Sequence, residues 1–319
     1  MARSAFPSTK GFTRVRNFPF DRPGQFYKGN LHMHSTNSDG GLTPEDAARL
    51  YRDAGYDFIS ITDHYMNRFD WPVTDTSHLR DENFTTLFGA ELHGGGMENG
   101  ELWHIVANGL PLDFEPQHPN EDGAEIAARA LHAGAFITVG HPGWNGVTIG
   151  DIDKLEDFDA IEIYNHGHMN DCDRGNGWML ADILATRGMR FSTTAADDAH
   201  IKPDRPDTLG GWVQVKSESL DPDAILEALK DGMFYASTGP EIHNIEIGDD
   251  TIAIECDPAI AVYGGGRGSV RAFKRGDGLT KVELPLAPFL SAFCRITVLD
   301  ENGHRAWTSP IWLDELNVG

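Results

Sequence analysis

The residues of this sequence best suited to chemistry are imidazoles and carboxylates set at short, repeated spacings. His32 and His34 form an H-x-H pair in Gly29–His34 (GNLHMH), which reads as a short strand. Residues i and i+2 of a strand face the same way, so both rings can reach one ion. Asp39 follows in the turn SDG (38–40), His64 ends TDH (62–64), and Glu91 ends GAE (89–91). His104 opens the segment Trp103–Leu110, His141 stands between FITVG (136–140) and Pro142, and Asp198 and His200 form D-x-H after FSTTA (191–195). Imidazole with carboxylate suits Zn, Mn or Fe, and one Glu can hold two such ions together. The lack of Cys donors points to a catalytic site with open positions rather than a closed structural one. Each fragment alone is ordinary. The signal is that they come from six places in the chain, most of them at or near a predicted strand end.

Those strand ends need a scaffold. Through the first three quarters of the chain, strand-like and helix-like segments alternate. After GNLHMH comes a helix at Thr43–Gly55, with Thr43 as N-cap, Pro44 at N1 and Gly55 just past the end. Strands are predicted at Asp57–Asp63, Thr85–Leu92, Trp103–Leu110, Phe136–Gly140, Ala160–Tyr164, Phe191–Ala195 and Gly211–Lys216, and helices at Glu121–His132, Asp151–Phe158, Asn176–Arg187 and Asp221–Asp231. This order predicts an α/β fold with a parallel sheet, open or closed into a barrel, whose strand-to-helix loops gather at one end. After STGP (237–240) the pattern becomes short alternating runs at Ile242–Ile247, Thr251–Cys256, Ser269–Lys274, Leu279–Leu286 and Phe293–Leu299, with Gly264–Gly266 and ENG (301–303) as turns. The expected domains are 1–240 and a small antiparallel β-sandwich-like domain at 241–319.

Composition narrows the partners. Lys and Arg number 26 against 49 Asp and Glu, a formal charge of −23 in 319 residues. Such a surface repels nucleic-acid backbones and anionic membranes, which leaves a small molecule as the expected partner. A homo-oligomer is compatible with the sequence. No apolar run is long enough for a membrane helix, and Met1 to Phe20 has no apolar h-region. Cys172, Cys256 and Cys294 form no close pair, which suits the cytoplasm.

With these motifs in hand, the chain resembles the PHP (polymerase and histidinol phosphatase) superfamily. LHMHSTNSDG (31–40), TDH (62–64), GAE (89–91), His141-Pro142 and DDAH (197–200) carry the resemblance across roughly residues 29–240. KGNLHMHS, STGPEI (237–242) and RAWTSPIWL (305–313) are similar to the branch that includes carbaryl hydrolases, the CehA/McbA type. The resemblance implies a distorted seven-stranded β/α barrel holding two or three divalent ions. It assigns His32, His34, Glu91 and Asp198 to one ion, Asp39, His64 and His200 to a second, and Glu91, His104 and His141 to a third, with Glu91 as the bridge. Some members have His where this chain has Asp39, so the number of ions stays at two or three.

The implied chemistry is hydrolysis by a metal-bound hydroxide, with Glu91, Asp198 and His200 as the catalytic carboxylates and imidazole, and His200 or Asp198 relaying the proton. A phosphoesterase acting on a small phosphate mono- or diester is the favoured reading, with an anionic substrate. A carbamate or carboxylic ester hydrolase and a non-catalytic metal-binding module are the alternatives. A phosphate site wants nearby cations, for which Lys202 and Arg205 are candidates, and His168 is a candidate substrate contact. A carbamate site wants an apolar wall, for which Trp71, Trp103 and Trp144 are candidates. His78, His93, His118, His132, His243 and His304 receive no role.

Overall fold

The computed structural model describes residues 18–290 and 292–314. Most of the N-terminal stretch considered as a signal sequence lies outside them. The strands of the first part are β1 (Gln25–Asn30), β2 (Phe58–Ile61), β3 (His64–Tyr65), β4 (Thr85–Gly94), β5 (Trp103–Asn108), β6 (Phe136–Val139), β7 (Ala160–Asn165), β8 (Ser192–Ala196), β9 (Trp212–Ser217) and β10 (Phe234–Ser237). The helices are α1 (Pro44–Asp53), α2 (Gly123–His132), α3 (Pro142–Asn145), α4 (Ile149–Ile152), α5 (His166–Cys172), α6 (Trp178–Thr186) and α7 (Pro222–Lys230). Helix starts follow local chemistry. Thr43 Oγ1 accepts from the Asp46 amide with Pro44 at N1, and Asp122 and Glu125 form a capping box.

The result is a mixed α/β fold with one large sheet, in the order β9-β1-β2-β4-β5-β6-β7-β8. The expectation of an all-parallel sheet is corrected. β5 runs antiparallel to both β4 and β6, and β9 runs antiparallel to β1. Only residues 95–102 separate β4 from β5, with no helix between, and a parallel pair needs a crossover of a dozen residues or more. The helix expected at Asp151–Phe158 is instead α4, placed earlier by the Thr148–Asp151 capping box. The expected closed barrel is not formed as a continuous ladder. Beyond β1 and β8 the two chain segments are joined by an isolated bridge between Met33 and Ala199 rather than by a strand ladder.

The remaining strands are β11 (Ile242–Ile247), β12 (Thr251–Gly265), β13 (Arg271–Pro285), β14 (Phe293–Leu299), β15 (Arg305–Thr308) and β16 (Ile311–Trp312), all paired antiparallel. β15 pairs with β10, so the sheet runs on from one part of the chain to the other. Gly264 and Gly265, expected in a turn, lie in the long strand β12. Phe289 packs on one and the Arg295 side chain lies over the other.

Gly29 sits inside β1, where a β-carbon would come within 2.1 Å of the Phe58 ring in β2. Both residues belong to the layer that aims His32 and His34. Gly29→Ala is expected to destabilise the fold by roughly 1–3 kcal/mol through overpacking. Urea unfolding would measure it, and a midpoint equal to wild type would show that the ring can move aside.

Candidate metal centre

Two backbone registers build the site. The Met33–Ala199 bridge sets H-x-H beside D-x-H. The Asp198 amide donates to the His32 carbonyl (2.9 Å), His34 N to Ala199 O (2.8 Å), and Gly41 N to His200 O (2.7 Å). The second register is β3–β4–β5. His64 pairs with Glu91, and His93 lies across from His104. Together they bring nine expected donors to one end of the sheet, and Glu91, 1% exposed, is at the centre. Glu91 oxygens lie 2.6 Å from His64 Nδ1, 2.7 Å from His104 Nδ1 and 3.2 Å from His141 Nε2. His93, His32 and His34 follow at 3.4, 3.6 and 3.7 Å.

Among the described residues, donor atoms close enough to share an ion fall into overlapping groups. Asp39, His64 and His200 come together with His34, and Glu91, His104 and His141 form another group. His32 and His34 group with Glu91, while Asp198 groups with His32 and His141. The four residues assigned by resemblance to one ion are therefore divided between two groups. Asp198 is nevertheless close to both imidazoles of H-x-H, 3.0 Å from His34 and 3.3 Å from His32.

The donor set fits divalent ions. Among the described residues, buried His34 Nδ1 and His141 Nδ1 have no hydrogen-bond partner, and His32 Nε2, Asp39 Oδ1 and Glu91 Oε2 meet Asp198 or His64 at 2.6–3.3 Å without hydrogen-bond geometry. Unsatisfied buried lone pairs are costly in a closed interior, and a cation is the partner that several can share. Burial would raise the Glu91 carboxyl, yet His104, His93 and His64 hold it well below its ordinary range. Burial and then His32 and His34 act the same way on Asp198. Burial pushes His34 and His104 down to about 4, so they are neutral donors at pH 7. His64 is raised to about 10, because Glu91 and Asp39 outweigh its burial.

Strain and anchoring carboxylates hold this arrangement. His141 (φ 24°) and Asp198 (φ 53°) adopt left-handed backbone, at a cost of about 1–3 kcal/mol each for non-glycine residues. Glu162, on β7, received no role from the sequence. It is buried, accepts from the His141 amide (2.8 Å) and faces His32 Nδ1 (3.0 Å). Asp63 accepts from Ser35 N, Ser35 Oγ and Ser38 Oγ, fixing the loop before Asp39. Asp207 holds His200 N (2.8 Å), and Asp197 holds the amides of Leu209, Gly210 and Gly211.

His93 was also missed. It is buried, 2.9 Å from His64 Nδ1, and groups with His64 and Glu91. Its signal was the i, i+2 spacing from Glu91 on β4.

The cluster opens into a cavity of about 430 Å³ lined by Glu91, His104, His141, Asp198 and His200, with Met66, Arg68, Leu102, Trp144, His168 and Arg205 around them. His168 lies flat on Trp144 (4.4 Å, 10°), with Nε2 3.3 Å from Asp198. Arg205 reaches the cavity but is bound to Asp171 and near Asp207 (3.6 Å). Lys202 is 3.7 Å from Asp39 and is not part of the cavity wall. Trp103 is fully buried in the core, Trp71 packs on Tyr65, and Trp144 alone of the three reaches the cavity. His243 and His304 pair with Asp257 and Asp300 on the surface.

No family model matches the chain. No curated protein matches it significantly. Among solved structures it is similar to a two-domain protein from Bacteroides vulgatus containing a predicted PHP-like metal-dependent phosphoesterase. That match has 17% identity and a TM-score of 0.51, over 95% of this chain and 100% of that one. A proposed metal-dependent phosphoesterase from Bifidobacterium adolescentis matches at 17% identity and TM-score 0.42, over 64% of this chain and 96% of that one. An amidohydrolase from Chromobacterium violaceum matches at 14% identity and TM-score 0.41, over 54% and 87%. The first likeness, which spans nearly all of both chains, shows the fold.

Glu162→Gln keeps the side-chain volume but removes the charge that orients His32 and His141. Metal affinity is expected to fall roughly 10–100-fold, as for other groups that orient metal ligands. Competition with a chromophoric chelator measures it. Unchanged affinity would mean that Glu162 serves only the fold.

Proposed function

We propose that this chain is a metal-dependent hydrolase, and specifically a phosphoesterase that cleaves a small phosphate mono- or diester. The observation that carries this reading is the convergence of buried imidazole and carboxylate donors around Glu91, in overlapping groups that open directly into a cavity. His32, His34, Asp39, His64, Glu91, His104, His141, Asp198 and His200 would hold two or three ions of Zn, Mn or Fe. Such ions supply an activated water and a positive charge that stabilises the transition state.

The chain's own residues supply the rest. Glu91 holds donors from β3, β4 and β5 around one carboxylate. Asp198, fixed by Asn165 Nδ2 (3.2 Å), is close enough to His168 to share a proton with it. Burial and the neighbouring His141 push His168 down to about 4, so at pH 7 it is a neutral ring that can hold a substrate oxygen through its N–H. The fold similarity to a protein with a predicted PHP-like phosphoesterase supports the reading, as do the motifs of the PHP superfamily. The three free cysteines support a cytoplasmic setting, and the acidic surface a small-molecule substrate. No described helix is long and apolar enough to cross a membrane.

A second reading, hydrolysis of a carbamate or carboxylic ester, is favoured by one observation. The cavity wall includes the stacked Trp144–His168 pair with Met66 and Leu102, an apolar face suited to an aryl group. It agrees with the resemblance to the branch containing carbaryl hydrolases.

Turnover of p-nitrophenyl phosphate, bis(p-nitrophenyl) phosphate and a naphthyl carbamate by metal-loaded protein separates the readings. A phosphate ester is expected to be the best substrate, and Glu91→Gln to lose activity by orders of magnitude, more than His64→Ala, because it weakens donors to two positions. Carbamate turnover above that of both phosphates would favour the second reading. Near-normal turnover by Glu91→Gln would refute the role given to Glu91.

A further inference from the structure

An anionic substrate approaching an acidic protein is drawn in by local cations besides any bound metal, and the cavity has two arginines in its wall, Arg68 and Arg205. They are not equivalent. Arg205 is committed to Asp171, with Asp207 beside it, so its donors are used and its charge is compensated within the protein. Lys202, the other basic residue near the motifs, faces Asp39. Arg68 has no carboxylate or hydrogen-bond partner among the described residues. Its guanidinium lies over the Phe69 ring, 4.5 Å from the centroid. The Phe69 ring in turn lies nearly parallel to His64, with centroids 6.1 Å apart. An aromatic platform continuous with the metal-donor cluster therefore carries an exposed guanidinium with its donors free at the cavity mouth. A planar fork of this kind binds oxyanions in two-point fashion.

We infer that Arg68 is the specificity-determining residue of this site, reading the negative charge of the substrate, so that the preferred class is an oxyanion ester with phosphate-like charge rather than a neutral ester. This rests on the metal-dependent hydrolase reading. Arg68 contributes binding and orientation, not chemistry. Its loss raises KM for charged substrates while kcat changes less, and neutral ligands do not sense it. Removing it breaks no ion pair, so the fold and metal content stay intact.

The test is calorimetric binding of phenylphosphonate, a dianion the enzyme cannot hydrolyse, to the zinc-loaded full chain, with metal content and melting temperature measured alongside. Arg68→Ala is expected to weaken binding by roughly ten-fold or more, as for loss of a charge-assisted contact. Arg68→Lys should recover part of that loss, and Arg68→Glu should weaken binding further. KM for p-nitrophenyl phosphate should rise in parallel, while KM for a naphthyl carbamate stays within about two-fold. Phenylphosphonate binding within two-fold of wild type in both Arg68→Ala and Arg68→Glu would overturn the inference. If wild type binds phenylphosphonate but hydrolyses no ester, the hydrolase reading fails, and the binding series still decides the role of Arg68.

Discussion

Burying a carboxylate away from water costs several kcal/mol unless opposite charge or hydrogen bonds oppose the loss. Glu91 is buried with six imidazoles within 4 Å of its oxygens, those of His32, His34, His64, His93, His104 and His141. Protons alone compensate this poorly. Each neutral imidazole has a single N–H to give, so its second nitrogen stays a lone pair crowded among the others, and protonated rings repel each other at these spacings. Cations resolve both problems, since each accepts several lone pairs at once. The strained backbone at His141 and Asp198 fits the same picture, because holding ligands in one place is what such strain can accomplish.

The fold answers to that constraint. Bringing H-x-H against D-x-H requires β1 and β8 to converge, which they do just beyond their ends at the Met33–Ala199 bridge. Bringing His104 opposite His93 requires β5 to run antiparallel to β4, which the short connection between them provides. The deeper carboxylates, Asp63, Glu162, Asp197 and Asp207, then fix loops and ring orientations by accepting backbone amides or hydroxyls. Each restrains a segment that carries a donor.

Much of this was legible in the sequence because it is local. H-x-H, TDH, GAE and D-x-H declare their geometry through i, i+2 spacing or through a position next to a strand end. Most element positions were legible for the same reason, as with Thr43 and Pro44 at the start of α1. What was not legible is set by distant partners. Glu162 sits in AIEIY, a run that reads only as a buried strand, and its role appears when His32 and His141 arrive from elsewhere. Arg205 and Arg68 look alike in sequence, and only the placement of Asp171 and Asp207 shows that one is committed. Strand direction was misjudged where alternation was assumed to imply crossover helices. α5 escaped notice because His166–Cys172 has no apolar periodicity and starts from the Asn165 cap.

The central claim is that this cluster binds metal. Elemental analysis of the purified chain, before and after loading with Zn, Mn or Fe and removal of excess ion, tests it most directly. The account predicts two to three tightly held equivalents of divalent metal per chain. Less than one equivalent after loading would contradict it, leaving the buried imidazoles and carboxylates as a proton-linked network instead of a metal centre.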